Sequence, residues 1–278
     1  VSTIEIENGV VGYADVVNYV IKHGERRAPR GLPTLDAGEL TVIMYDVSRS
    51  LPLGVCRDVN RRVAAAEAVQ LIGGFSDPRL LITASPNFQR FLEPDTQRFY
   101  GAYGDRVRLQ VPAALHKLRA DPATRQAVIT LWDPWLDNLP GHRDYPCTVA
   151  LHFELKNDQL HLRTTMRSQD VWLGSPYDWF QFTQLQQTAA RALGVSPGPY
   201  RHTTWSTHIY EADVERVEWL RPAVGPPEWQ PRGLGSVEDN FHSIMMRART
   251  LPYSDIPTMT MSECWYRDQL TPLTELSS

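Results

Sequence analysis

Apolar residues recur at helical spacing in several stretches of the chain. Tyr13, Val16, Val17 and Val20 share one face over residues 12–23, and Gly24 closes that run. Residues 61–72 are alanine-rich, which favours helix, and they end at Gly73-Gly74. Residues 113–119 predict a short helix that stops before Asp121-Pro122. The longest run places Trp179, Phe180, Phe182, Leu185, Ala189, Ala192 and Leu193 at helical spacing and ends at Gly194. Pro176 opens it at the first helical position, where its missing N–H would have had no partner.

Other stretches follow the period of a strand. Residues 40–45 are apolar and partly β-branched, and 126–132 form one buried run. Residues 148–155 alternate around Leu151, Phe153 and Leu155. Asn157-Asp158 then signals a turn into a strand over 160–166. Residues 203–210 predict one further strand. The basic stretch 25–30 reads as a loop, with Pro29 and Pro33 excluding regular structure. Residues 221–235 are proline-rich and irregular, and 236–278 form a tail. Strands and helices mix without a regular βαβ rhythm, so the expectation is an α+β fold, as a single domain over residues 1–278.

Composition narrows the function classes. The chain has 278 residues, 42% hydrophobic and 22% charged, which is an ordinary globular composition and not a disordered one. Its net charge of −4 leaves no chain-wide footprint for nucleic acid, though a local basic pocket for a phosphate is compatible with it. No apolar run is long enough to span a membrane, and the start lacks the pattern of a signal peptide. A soluble, cytoplasmic protein without nucleic-acid or membrane partners is expected. The three cysteines, Cys56, Cys147 and Cys264, are far apart and form no CxxC pair, so neither a disulfide framework nor a zinc finger is expected. Cys56 and Cys264 read as structural.

Cys147 follows Tyr145-Pro146 where a polar loop enters a strand. A lone cysteine is ordinarily a small buried hydrophobe, whereas a nucleophile needs positive charge beside it. The turn at Asn157-Asp158 permits Cys147 and Arg167 to be cross-strand neighbours. Residues 166–179 gather Arg167, Ser168, Asp170, Gly174 and Pro176, with Asp178 in the first turn of an apolar helix. Asp178 is explained either by the helix dipole or as a ligand contact, with Arg167 and Ser168 as an anion site. Glu67 reads either as an exposed helix glutamate or as an acid-base group. His208 and Tyr210 share a strand face, as core packing or as sugar contacts. His202 and His208 lack a third metal ligand of suitable spacing, so no metal is expected. Trp172, Trp179 and Trp205 are expected in the core.

These motifs together resemble the thymidylate synthase family. The match runs through Pro146-Cys147, Arg167-Ser168-x-Asp170, Leu173-Gly174-x-Pro176 and His208-x-Tyr210, over about residues 11 to 220. Glu67 in the run 66–74 is similar to the family's catalytic glutamate. Tyr100-Gly101 is similar to its Tyr-Gly pair, which places Tyr100 among the catalytic residues. Asp121-Pro122-x-x-Arg125 resembles its Asp-Pro-x-x-Arg segment, and Arg30 its flexible phosphate-binding arginine. The resemblance implies a mixed sheet packed with helices and an obligate homodimer formed through the sheet. Arg30, Arg167, Ser168 and a second subunit's Arg125 would bind phosphate. His208 and Tyr210 would contact the sugar, and Asp170 and Gly174 the co-substrate 5,10-methylenetetrahydrofolate.

Three positions depart from the family pattern. Thr148 follows the cysteine where histidine is usual, Gln126 replaces the second arginine of a pair, and Asp178 stands where asparagine is usual. An asparagine amide donates to uracil O4 and accepts from the ring N–H, whereas a carboxylate accepts from cytosine's amino group. In this the chain is similar to the cytidylate 5-hydroxymethylases of certain phages and of nucleoside-antibiotic pathways such as that of mildiomycin. The expected activity is folate-dependent 5-hydroxymethylation of CMP or dCMP. Cys147 would attack carbon 6, Asp178 would hold the base, and Glu67 would move protons through water. The alternatives are methylation of dUMP and an inactive nucleotide-binding homologue.

Overall fold

Asn8 starts the first helix by accepting the amides of Val10 and Val11 with its side chain, and Gly24 ends it. In this computed structural model the described residues are 2–54, 57–220, 228–236, 239–251 and 261–275. The elements run β1 (Ser2–Ile6), α1 (Gly9–His23), β2 (Glu25–Arg27), β3 (Thr34–Asp36), β4 (Leu40–Met44), α2 (Arg61–Gly73) and α3 (Pro78–Ala84). They continue with α4 (Tyr103–Val107), α5 (Gln110–Ala120), β5 (Val128–Thr130), β6 (Thr148–Lys156), β7 (Gln159–Met166) and β8 (Gln169–Asp170). Then come α6 (Ser175–Leu193), β9 (Ser196–Thr204), β10 (Thr207–Tyr210), α7 (Glu211–Val217), α8 (Phe241–Thr250) and α9 (Met261–Glu275). The chain is α+β with mixed sheets.

The large sheet has the order β1-β4-β9-β7-β6-β5. Its β6–β7 hairpin turns at Asn157 and Asp158, both with positive φ (51° and 57°), a backbone that asparagine and aspartate tolerate better than most residues. Leu162 pairs with Phe153 on one side and with Tyr200 on the other, and all three are fully buried. That face is covered by α6, against which α2 packs. The alternate positions, His152, Glu154, His161, Arg163, Thr165, Arg201 and Thr203, point to the other face and stay half-buried or exposed.

Four expectations need correction. Residues 25–27 form a strand, because β2 pairs antiparallel with β3 and the prolines lie just outside both. The strand expected over 203–210 is two strands in different sheets, β9 and β10, broken at Trp205-Ser206. There Trp205 N still donates to Met166 O, but Thr207 N donates to Gly38 O in the smaller sheet, β2-β3-β10-β8. Pro176 occupies the second position of α6, since Ser175 opens the helix. Trp205 is 55% exposed, while Trp172 and Trp179 are buried. The tail carries α8 and α9, and Cys56 and residues 221–227 lie outside the described residues.

Candidate active site

β7 passes to β8 at Arg167-Ser168, next to the step from β9 to β10, and the candidate residues gather there. β6 begins where β7 ends, with Thr148 opposite Met166. Cys147 and Arg167 are therefore neighbours, and Arg167 N donates to Cys147 O at 2.9 Å. The guanidinium is held by two carbonyls, Nε donating to Pro146 O at 3.0 Å and Nη2 to Tyr145 O at 3.3 Å. Nη2 also lies 3.7 Å from Cys147 Sγ. Burial nonetheless dominates and pushes the thiol up to about 11. Arg167 and Arg30 pull it down, while the charges of Asp178 and Asp144 push it up. The free protein at neutral pH thus holds a protonated thiol.

Two carboxyls face this region from different helices. Glu67 lies in α2, whose neighbours Ala64, Ala65, Ala66 and Ala68 are buried and small enough to let α6 approach. Asn60, the N-cap of α2, donates its backbone N–H to the Tyr177 hydroxyl at 3.1 Å, tying the two helix starts together. Asp178 sits one residue further along α6. Gln169 Nε2 donates to its Oδ2 at 2.9 Å, and Gln181 Nε2 to its Oδ1 at 3.0 Å. Gln181 Nε2 also reaches Glu67 Oε2 at 3.4 Å. Burial pushes Asp178 up to about 6, against the two amides that favour its charge. Burial, then the charge of Asp178, pushes Glu67 up to about 8. At neutral pH Asp178 is mostly ionised and Glu67 mostly protonated.

Behind Gln169 lies a sealed polar chain. Its Oε1 is 2.8 Å from His202 Nε2, and His202 Nδ1 is 2.7 Å from the Tyr200 hydroxyl. Burial pushes His202 down to about 3, so it is neutral. Both of its nitrogens are engaged. Among the described residues no group of three His, Cys, Asp or Glu side chains is placed to hold a metal ion.

The remaining candidates divide by position. Asp170 Oδ1 accepts from the amides of Trp172 (2.8 Å) and Leu173 (2.9 Å), while its Oδ2 is buried without a hydrogen-bond partner. His208 pairs with Asp170 across β8 and β10, and its ring meets Tyr210 edge-on at 5.5 Å. Ser168 is half-buried beside Arg167. Arg30 is exposed in a left-handed conformation (φ 55°) and acts on the thiol through its charge. Gly174 approaches the clamp closely: a Cβ there would meet Gln169 Nε2 at 2.7 Å. Arg125 is exposed and remote. Ala127 O accepts from Phe153 N, about six residues along β6 from Cys147, which is on the order of 20 Å.

Tyr100 stands in a different cluster from the carboxyls. Its ring stacks on His142 at 3.4 Å, and the Arg106 guanidinium, salt-bridged to Asp137, lies 5.3 Å from the ring centre. The tyrosine that feels the charges of both Asp178 and Cys147 is Tyr103, whose hydroxyl burial holds well above its usual range. The signal was present as a second Tyr-Gly pair, Tyr103-Gly104, three residues on. Gln169 and Gln181 were also missed. Gln169 lies inside the motif Arg167-Ser168-x-Asp170, and Gln181 follows Asp178 by less than one helical turn.

Comparisons with known proteins agree in kind. The thymidylate synthase family model matches residues 11–222. A Bacillus phage SP01 protein named deoxyuridylate hydroxymethyltransferase is 30% identical over 218 residues, which is 72% of this chain and 57% of that protein. The chain thus spans little more than half of the phage protein's length. Thymidylate synthase of Mycoplasma genitalium is 24% identical over 256 residues, covering 78% of this chain and 87% of that enzyme. Thymidylate synthase 1 of Bacillus subtilis is 31% identical over 109 residues, 39% of this chain.

Proposed function

The chain belongs to the thymidylate synthase family, and from that premise we propose that it 5-hydroxymethylates a cytidine 5′-monophosphate, CMP or dCMP, in a folate-dependent reaction. The observation that carries the cytosine assignment is the double clamp on Asp178. Amides of Gln169 and Gln181 hold one oxygen each, favouring an ionised carboxylate that accepts hydrogen bonds. Cytosine brings a donor amino group to such a site, and its ring nitrogen becomes a second donor once protonated. Uracil would set O4 against the carboxylate, leaving acceptors opposed at about 1–3 kcal/mol each.

In this reading Cys147 Sγ adds to carbon 6 of the base while its proton passes to the ring nitrogen, and carbon 5 becomes nucleophilic. The sulfur leaves carbon 6 again once carbon 5 has lost its hydrogen and water has added to the exocyclic methylene. Asp178 steadies the amino group and ring N–H as positive charge develops there. Methylenetetrahydrofolate supplies the one-carbon unit at the oxidation level of formaldehyde. Glu67, protonated at neutral pH, handles the proton transfers at carbon 5 and the delivery of water. The orphaned Asp170 Oδ2 is an acceptor suited to the folate ring's N–H groups. Trp172, two residues on, is buried under the Arg57 guanidinium, 4.7 Å from its ring, and Arg57 lines an open depression of about 470 Å³ with Arg61 and Arg62. Arg57 and Arg62 suit the glutamate end of a folate, while Arg61 is paired with Glu228 at 2.7 Å. Arg30, Arg167 and Ser168 bind the nucleotide phosphate. Arg125, too distant to reach its own thiol, serves the site of a second copy in a homodimer that buries the polar sheet face.

The phage relative's name favours a second reading, hydroxymethylation of a uridylate. Incubation with methylenetetrahydrofolate and CMP, dCMP, UMP or dUMP separately, followed by mass spectrometry, decides between them. A gain of CH₂O on a cytidylate is expected, and it also chooses the sugar. The same gain on a uridylate would support the second reading. A gain of CH₂ on dUMP would make the protein a methyltransferase, and no product in any tube would leave only nucleotide binding.

A further inference from the structure

We infer that Gln169 is a positioning residue that makes Asp178 select cytosine over uracil, by locking its amide nitrogen, and never its oxygen, against the carboxylate. The inference rests on the cytidylate reading above and deepens it.

The lock comes from three sides. Gln169 Nε2 lies 2.9 Å from Asp178 Oδ2 and 3.3 Å from the backbone carbonyl of Asp170. A backbone carbonyl only accepts, so a flipped amide would face its own oxygen to both Asp170 O and the carboxylate. On the far side Oε1 meets His202 Nε2 at 2.8 Å. With the amide fixed, the single proton of neutral His202 belongs on Nε2, and Nδ1 lies 2.7 Å from the Tyr200 hydroxyl, which also bonds Thr164 Oγ1 at 3.0 Å. Gln169, His202 and Tyr200 are 3%, 2% and 1% exposed, so water does not substitute for a lost partner. The third side is Gly174, where any Cβ would collide with Nε2.

Asp178 would accommodate uracil O4 only by becoming a donor, that is, by being protonated. An N–H held against Oδ2 opposes that state, and a second from Gln181 opposes it at Oδ1. Removing the Gln169 donor relaxes this opposition without touching the base.

The test measures dissociation constants for CMP, dCMP, UMP and dUMP by calorimetry, together with kcat and KM, for the wild type, Gln169→Met and Gln169→Glu. Methionine keeps the length and removes the donor. Glutamate keeps the shape and still accepts from His202, but opposes a carboxylate to a carboxylate. The wild type is expected to prefer cytidylate, and both variants to lower the cytidylate-to-uridylate affinity ratio at least about tenfold, chiefly through weaker cytidylate binding and raised KM. A structural role alone would weaken both bases equally, and an unchanged ratio would overturn the inference while leaving the cytidylate reading intact. A wild type that prefers uridylate would overturn both. Should neither variant fold, Gly174→Ala presses on the same amide from outside the core. It is expected to lower the ratio, and an unchanged ratio there also rejects the proposal.

Discussion

A thiol held at about 11 has only a trace of thiolate at neutral pH, although a guanidinium lies 3.7 Å from its sulfur. Arg167 spends its best donors on the carbonyls of Tyr145 and Pro146, so it shapes the strand mouth more than it charges the sulfur. The labelling rate of Cys147 by iodoacetamide, followed peptide by peptide to separate it from Cys56 and Cys264, is therefore expected to rise about tenfold per pH unit from 7 to 9. A plateau near pH 7 would show instead that Arg167 and Arg30 hold a standing thiolate. The nearness of Cys147 and Arg167 was legible, because the turn at Asn157-Asp158 sets the register of the hairpin. The contest between burial and charge was not. It depends on Asp178 and Asp144, whose distance from the sulfur no sequence spacing gives.

Helix α6 shows how much of an element a periodicity leaves unread. Its apolar residues and its terminal glycine were plain, but they say nothing about the glutamines between them. Gln181, Gln184, Gln186 and Gln187 are all buried, and each donates its amide to a group outside the helix. Gln186 illustrates why. The β7–β9 register slips between Leu160 and Leu162, and Pro197 and Pro199 have no N–H to offer the ladder. Gln186 Nε2 fills the gap, donating to Leu160 O at 2.8 Å and Gly198 O at 2.7 Å. Gln186→Leu keeps the apolar volume and orphans two buried carbonyls, so a loss of about 2–4 kcal/mol is expected. Urea unfolding measures it as a lowered midpoint at constant slope, and an unmoved midpoint would mean that water or a backbone shift replaces the amide. The partners of these glutamines, a carboxyl for Gln181 and the carbonyls of Pro231, Leu160 and Val47 for the others, lie on distant segments that helical spacing does not reveal.

At the scale of the whole molecule, the α+β class followed from the order of helix and strand signals. The smaller sheet did not, since its strands are only two to four residues long and too short for a period to register. Arg125 links this scale to the chemistry. It lies two residues before Ala127, which bonds Phe153 on the order of 20 Å along β6 from Cys147, and no arginine side chain spans that gap. Beside it runs the polar sheet face, left half-buried or exposed among the described residues, where Arg163 pairs with Glu154 and Thr41 bonds Thr203 at 2.9 Å. If a second copy laid on this face completes each site, Cys147→Ser and Arg125→Ala lie in different subunits of any one site. Each variant alone is then expected to be nearly inactive. Mixed, unfolded and refolded together, half of the dimers become heterodimers with one intact site, restoring about a quarter of wild-type activity. An Arg125→Ala enzyme as active as the wild type would remove the arginine from the site altogether. Two inactive variants that gain nothing on mixing, while forming heterodimers, would confine every catalytic group to one chain.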